Sequence, residues 1–194
     1  MQDADATRGQ RSLSRLSELP GTLLLIRIWP VVLRIPRLVD RFRNQPLAPA
    51  AMQQFKTELA GLLTEMGRIV VPWTLNHLEA LGAAAMSPEL FWHNDHYHRK
   101  RRSPTRNRNC LFGKIRVRRW IYEPTEGLGL SALFPLELSL GLVAGVATPA
   151  LADRVTLLSV DFSQRQVLAI LRDQHHVCWG AETLRKSTQA WRRR

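Results

Sequence analysis

In the last third of the chain, apolar residues recur at the spacing of helices that bury one face. The pattern predicts three helices, at Pro149–Ser159, Phe162–Gln174 and Gly180–Arg193. Asp161 stands where an N-cap would start the second helix, and Gln164 is placed to complete a capping box. Three short helices of this kind form a bundle, which is the usual core of a helix-turn-helix unit.

The third predicted helix has an inner face and a basic outer face. Its inner positions are Leu184, Thr188 and Trp191. Its outer positions recur at helical spacing and are Glu182, Arg185, Lys186, Gln189, Arg192 and Arg193. Arginine can pair with guanine and glutamine with adenine in the major groove, while flanking cations hold phosphates. The pattern predicts a DNA-recognition helix; the alternative is an ordinary surface helix with solvated charges.

An apolar segment, Gly21–Arg43, is predicted near the N-terminus. It contains Pro30 and Pro36, and Arg27, Arg34 and Arg41 fall on one face. This composition fits either a helix lying on a membrane surface or two short helices packed on the rest of the fold. The prolines favour the second interpretation, because they interrupt a continuous amphipathic face.

A long helix is predicted to start near Ala50. Its apolar residues lie alternately three and four positions apart, which is the spacing of a coiled-coil seam. They are Met52, Phe55, Leu59, Leu62, Met66, Ile69 and Trp73. Two interpretations remain open: a homodimer that pairs through the first six of these residues, or the core face of a helical hairpin within one chain.

The clearest β pattern follows a basic loop predicted at residues 99–109. Cys110–Phe112 and Ile115–Tyr122 predict a hairpin that turns at Gly113 and Lys114. The residues predicted to share its basic and aromatic face are Arg116, Arg118, Trp120 and Tyr122. Such a face suits a phosphate backbone or an exposed base, and the alternative is a solvated face with Trp120 partly covered.

These elements predict a mainly α fold with a small β-hairpin, an α+β class. We expect four segments along the chain. They are a disordered arm at 1–19, a helical region with the seam at 20–98, the basic loop and hairpin at 99–132, and the helix-turn-helix-like unit at 133–194.

The charge is large and uneven. The formal charge is +12, and residues 99–119 hold ten basic residues and no acid. Charge concentrated in this way indicates a polyanion such as double-stranded DNA. The predicted DNA-binding residues are Arg185, Lys186, Gln189, Arg192 and Arg193 together with Arg101, Arg102, Arg116, Arg118 and Arg119.

No cofactor is predicted. His93, His96 and His98 leave metal binding open, but no paired cysteines or helical histidine pair fixes a ligand geometry, so a polar loop is favoured. The two cysteines offer no disulfide framework, and the apolar stretch Leu23–Leu33 is too short and too charged to span a membrane. We expect a cytoplasmic, nucleoid-associated protein.

Several blocks of the chain resemble bacterial insertion-sequence transposases of the ISKra type. They are Leu111–Tyr122, Phe134–Leu138, Leu140–Leu142, Ala147–Leu151 and Thr183–Lys186, and they cover roughly residues 90–190. The resemblance lies in the order of these blocks, since each is weak alone. The resemblance implies that this chain corresponds to the DNA-binding region that precedes the catalytic domain in such enzymes.

The chain departs from that family in two ways. Glu123–Ser131 lacks the cysteine pair that many relatives carry after the hairpin, so no zinc site is carried over. Family members cleave DNA with three carboxylates that hold metal ions. Here Asp153, Asp161 and Glu182 fall in the predicted helical unit, where capping or surface roles explain them, and we expect a chain that ends before the catalytic domain and is not an enzyme.

Two other functions remain open. One is a membrane-surface or protein-interaction protein that acts through Gly21–Arg43 and the seam. The other is a remnant of a longer transposase without a present function.

Overall fold

The computed structural model describes residues 20–92, 95–100, 105–125, 132–141 and 147–192. The fold is mainly helical with small antiparallel sheets, so the predicted α+β class is confirmed. The chain divides into two compact units, the first ending at Val70 and the second beginning at Val71. The predicted arm at 1–19 lies outside the described residues.

Within the described residues, three helices precede the strands: α1 (Pro20–Val32), α2 (Arg34–Arg43) and α3 (Pro49–Ala85). α1 continues through Pro30, and Pro36 lies in the first turn of α2, where a missing backbone N–H costs little. The predicted Gly21–Arg43 segment therefore forms two short helices, but they are separated at Leu33 and not at either proline.

The first unit is built around the middle of α3. Val31, Leu38 and Leu62 are buried at its centre. Five partly buried side chains pack against them: Ile35, Phe55, Leu59, Met66 and Ile69. Most of the predicted seam is therefore the core face of a helical packing within one chain, because α1 and α2 cover it. Arg34 and Arg41 form ion pairs with Glu65 (2.6 Å) and Glu58 (3.0 Å) of α3.

The described part of the second unit contains five strands. A sheet of order β1-β2-β5 is formed by β1 (Glu89–Trp92), β2 (Asp95–Arg99) and β5 (Tyr122–Pro124), all antiparallel. β3 (Thr105–Cys110) and β4 (Gly113–Arg118) form a separate hairpin.

The strand predictions were wrong in three respects. The histidine-rich stretch was predicted as a loop, but Asp95–Arg99 is a strand, because Tyr97 is buried and anchors it. Thr105–Asn109 was predicted as loop and forms most of β3. The hairpin turns at Leu111 and Phe112, since Gly113 has φ 105° and already pairs with Cys110.

After the short helix α4 (Pro135–Ser139), three helices form the C-terminal bundle: α5 (Pro149–Asp161), α6 (Gln164–His175) and α7 (Ala181–Arg192). Each begins and ends within two residues of its predicted bounds. The predicted cap was wrong: Ser163 caps α6, in a capping box with Gln166. Asp161 cannot serve, because it is still in the last turn of α5.

The three helices pack pairwise around one apolar core. Its fully buried members include Leu151, Val155, Val167, Leu171 and Leu184. At 25 cal/mol or so per Å² of apolar surface removed from water, such side chains each contribute about 2 kcal/mol.

The connection between α6 and α7 spans residues 176–180. His176 has a left-handed backbone, φ 53°, and its N–H donates to the carbonyl of Arg172 at 3.1 Å. Val177 follows, is buried, and donates to the carbonyl of Leu171 at 3.0 Å. These contacts end α6 at His175, and α7 begins after the five-residue connection.

Candidate nucleic-acid interface

One face of the β3–β4 hairpin is polar and basic. Thr105 lies opposite Arg118, Asn107 opposite Arg116, and Asn109 opposite Lys114. Directly opposite residues share a face, and the three cations of this face are exposed. The other face places Cys110, Ile115 and Val117 in a buried cluster with Leu136. The strand alternation thus presents three positive charges to solvent, without a carboxylate among the six paired residues.

The prediction that Tyr122 shares the basic hairpin face was wrong, and Trp120 is partly covered, as the alternative interpretation had it. Tyr122 is only 1% exposed, and its hydroxyl donates to the carbonyl of Ser87 at 2.8 Å. Trp120 is partly buried, with the Arg99 guanidinium 5.1 Å from its ring centre. The reason is that β4 ends at Arg118, and Tyr122 belongs to the other sheet. The face is therefore basic but has no aromatic ring from these two residues for base stacking.

Asn76 of α3 fixes the open edge of β4. The N–H of Arg118 donates to Asn76 Oδ1 at 2.6 Å, and Asn76 Nδ2 donates to the carbonyl of Arg116 at 3.4 Å. The amide side chain replaces a neighbouring strand, and so holds the backbone that carries both arginines. Nothing in the sequence pattern around Asn76 indicated this role.

Arg119 was predicted to hold phosphate, but it points into the protein. Its Nη1 lies 2.5 Å from Glu137 Oε1, and its guanidinium stacks on Phe134 at 3.7 Å from the ring centre. Arg108 also donates to the Glu137 carboxylate. Burial lowers the pKa of Arg119, against the Glu137 interaction that raises it. Its side chain is 6% exposed, so we remove it from the set of phosphate contacts.

A second buried carboxylate, Glu79 of α3, accepts a hydrogen bond from the N–H of Trp120. Burial is the main cause that raises the pKa of Glu79, and the Trp120 N–H opposes it. Glu79 and Glu137 together hold the chain segment that follows β4.

The outer face of α7 matches its prediction where the side chains are described. Arg185, Lys186 and Gln189 are exposed, and Leu184 is buried. The side chain of Arg192, as well as Arg193, Arg101 and Arg102, lies outside the described residues. Ser187, which was not singled out, is also buried, at 1% exposed.

A carboxylate lies within this basic face. Glu182, in the first turn of α7, accepts from Arg185 Nη2 at 2.9 Å and from Nε at 3.2 Å. Lys186 Nζ lies 3.4 Å from the same carboxylate. The hydrogen bond from Arg185 is the main cause that lowers the pKa of Glu182, and the same bond raises that of Arg185.

Polar side chains border a cleft that lies between the end of α5, the start of α6 and the basic face of α7. The cleft has a volume of about 250 Å³. Gln164, Arg185 and Gln189 are among its lining residues. The start of α6 and the basic face of α7 therefore border the same recess.

Within the described ranges, no three His, Cys, Asp or Glu side chains are grouped closely enough to hold a metal ion. His93 lies outside those ranges. Among the described helices, none combines the length and apolar character needed to cross a lipid bilayer. No protein family, no curated protein and no solved structure matches this chain.

Proposed function

We propose that this chain is a double-stranded DNA-binding module similar to the N-terminal region of an insertion-sequence transposase, and that it recognises the ends of a mobile element. One observation carries the proposal. The last helix of a three-helix bundle exposes Arg185, Lys186 and Gln189 on one face, while Leu184 anchors the opposite face in the core. This is the arrangement that a major-groove recognition helix requires.

Arg185 and Gln189 lie one helical turn apart on that face. The rise between them is about 6 Å, so both can reach base edges in the same stretch of major groove. Arginine pairs best with guanine and glutamine with adenine. Lys186, on the flank, contacts phosphate. In this arrangement Arg185 and Gln189 supply sequence preference, and Lys186 supplies affinity.

The hairpin supplies the remaining affinity. Lys114, Arg116 and Arg118 form a positive face of the kind that follows a phosphate backbone. We assign these residues to phosphates because arginine and lysine side chains on a strand face contact the DNA backbone, which carries no sequence information. Sequence is read at the base edges, by Arg185 and Gln189. The predicted contacts of Arg101, Arg102, Arg192 and Arg193 belong to the same proposal.

We assign no catalytic step to this chain. Asp153 and Asp161 lie on α5, and Glu182 is engaged with Arg185 and Lys186 on α7. A two-metal DNA cleavage site needs carboxylates that converge on one point.

We place the protein in the cytoplasm with the nucleoid, where its DNA would be.

We do not extend the proposal to a homodimer through the predicted seam. Five of the six residues pack in the same cluster as Val31 of α1 and Leu38 of α2, and only Met52, at 42%, is exposed. A dimer through this face would have to displace both helices.

The test is fluorescence anisotropy with a labelled random duplex and with duplexes taken from the flanks of the chain's own gene. Each is titrated at two salt concentrations. We expect binding that weakens steeply with salt and is tighter for the flanks. Absence of binding, or binding that salt does not change, would contradict a DNA-binding role. Equal binding to both duplexes would remove the element-end part of the proposal and leave a general DNA-binding protein.

A second candidate function rests on α1. Leu25, Ile26 and Trp29 of α1 and Leu33, which directly follows it, are 42–64% exposed, and the three helical residues lie on one side of α1. Pro30 does not interrupt the helix, which removes the main objection to a membrane-surface role. The charges of the described segment up to residue 47 are Arg27, Arg34, Arg37, Arg41, Arg43 and Asp40. An apolar stripe flanked by arginines fits the surface of an anionic lipid bilayer.

Co-sedimentation with vesicles separates this candidate from the first. We expect the chain to bind vesicles containing phosphatidylglycerol more than vesicles of phosphatidylcholine alone. Trp29→Glu should abolish that binding, and Leu157→Glu, at another exposed apolar residue, should not. Equal binding by both variants would reject α1 as the lipid-binding element. DNA binding unchanged in Trp29→Glu would show that the two functions are independent.

A further inference from the structure

The position of Glu182 is unexpected for a DNA-binding face. Its carboxylate lies in the first turn of α7, beside Arg185 and Lys186, and more than half of its side chain is exposed. In a major groove, the first turns of a recognition helix approach the bases most closely. A negative charge there is repelled by the phosphates on both sides.

The contact between Glu182 and Arg185 uses one edge of the guanidinium. Nε and Nη2 of Arg185 donate to the two carboxylate oxygens, at 2.9–3.2 Å. Nη1 makes no hydrogen bond within the described part of the chain. Arg185 therefore keeps donors on its outer edge, the edge that can point away from Glu182 toward a ligand. A guanidinium held on one edge loses less side-chain entropy when the other edge binds.

We propose that Glu182 determines sequence preference by acting on Arg185. This inference rests on the DNA-binding function proposed above. Glu182 holds the guanidinium in the orientation that pairs with N7 and O6 of a guanine. Its own charge weakens binding wherever that pair is missing, because the repulsion from phosphate is then not offset. Glu182 is thus a positioning residue, and the ligand is a duplex with guanine opposite Arg185.

A general consequence distinguishes this role from simple helix stabilisation. Loss of the carboxylate should raise affinity for random DNA and lower affinity for the preferred site. A residue that only stabilised α7 would change both affinities in the same direction. The experiment therefore measures whether the two affinities change in opposite directions.

The experiment uses the full chain. Wild-type protein first selects its preferred duplex from a pool of randomised duplexes. Dissociation constants for that duplex and for a random one are then measured for wild type, Glu182→Gln and Glu182→Asp. Asp153→Asn is the matched control, since it removes one exposed carboxylate from the same bundle. Circular dichroism establishes that each variant is folded.

For Glu182→Gln, we expect affinity for the random duplex to rise about threefold, as one repulsive charge is removed. Affinity for the selected duplex should fall by about tenfold, because Arg185 loses its orientation. Glu182→Asp keeps the charge but shortens the reach, so only the selected duplex should be bound less tightly. Replacing the guanine with 7-deazaguanine should weaken wild type by much more than Glu182→Gln.

Several results would overturn the inference. Changes in the same direction on both duplexes, or changes matched by Asp153→Asn, would reduce Glu182 to a structural or general electrostatic role. A selected duplex without a required guanine would exclude the proposed pairing. If wild type binds duplexes without any preference, this inference fails while DNA binding stands. If wild type binds no duplex, the proposed function fails as well.

Discussion

Arg119 Nη1 and Glu137 Oε1 form an ion pair of 2.5 Å inside the second unit. The pair joins the segment after β4 to α4, and Arg108 of β3 donates to the same carboxylate. One carboxylate thus serves two arginines that are each nearly inaccessible to solvent. This arrangement removes two of the ten basic residues between 99 and 119 from the surface that could contact DNA.

The first prediction concerns this buried group. Glu137→Gln leaves two buried guanidinium charges without their counter-ion, and breaking such a pair costs about 3 kcal/mol. We expect urea unfolding to show a loss of that size. Glu58→Gln is the control: its pair with Arg41 lies at the surface, with 56% of the Arg41 side chain and 34% of the Glu58 side chain exposed, and the loss should be about 0.5 kcal/mol or less. Similar losses of unfolding free energy in both variants would show that burial does not make the Glu137 ion pairs more important than the Glu58 pair.

The second prediction concerns Glu79 and pH. Burial raises the folded-state pKa of this carboxyl above 4.5, so the folded chain holds the proton more tightly than the unfolded chain. The contribution of Glu79 to stability is therefore complete below pH 4.5 and is lost as pH rises through the folded-state pKa. Glu79→Gln should flatten this part of the curve of unfolding free energy against pH. An unchanged curve would show that the group titrates normally.

The third prediction tests where α6 begins. Ser163→Ala removes the capping box with Gln166 and should destabilise the chain by about 1 kcal/mol. Asp161→Ala, at the position that sequence favoured as the cap, should have little effect because Asp161 ends α5. Thermal unfolding of the two variants, compared with wild type, distinguishes them. A larger loss of stability for Asp161→Ala than for Ser163→Ala would show that Ser163 is not the cap of α6.

The fourth prediction is the salt dependence of DNA binding. If basic residues neutralise about six phosphates, the slope of log affinity against log salt is near −5. Arg116→Ala combined with Arg118→Ala should reduce the magnitude of that slope by roughly 2. Lys56→Ala combined with Arg68→Ala, at exposed positions of α3 in the first unit, is the control and should leave it unchanged.

The fifth prediction separates base contacts from phosphate contacts. Arg185→Ala combined with Gln189→Ala should reduce preference for the selected duplex by tenfold or more and change random-duplex binding much less. Arg116→Ala with Arg118→Ala should weaken both to the same extent. If the two double variants lose affinity in the same way on both duplexes, this division of roles is wrong.

Local patterns were sufficient for the C-terminal bundle. Helix period, Pro149 at a first position and the spacing of Val167, Leu171 and Leu184 are properties of neighbouring residues, and they predicted α5, α6 and α7 within two residues. The exposed positions Arg185, Lys186 and Gln189 followed from the same period. The sequence thus determined the fold class and the face of α7.

The tertiary structure decided the features that depend on distant residues. Whether Arg119 faces solvent depends on Glu137, eighteen positions later, and no periodicity encodes that pairing. Tyr122 left the predicted hairpin face because its partner strand is β2, and the seam of α3 became a core face because α1 and α2 cover it. Where contacts with distant residues bury more apolar surface, they determine which side chains are buried, whatever the local alternation of apolar and polar residues. Those contacts exist only in the folded chain.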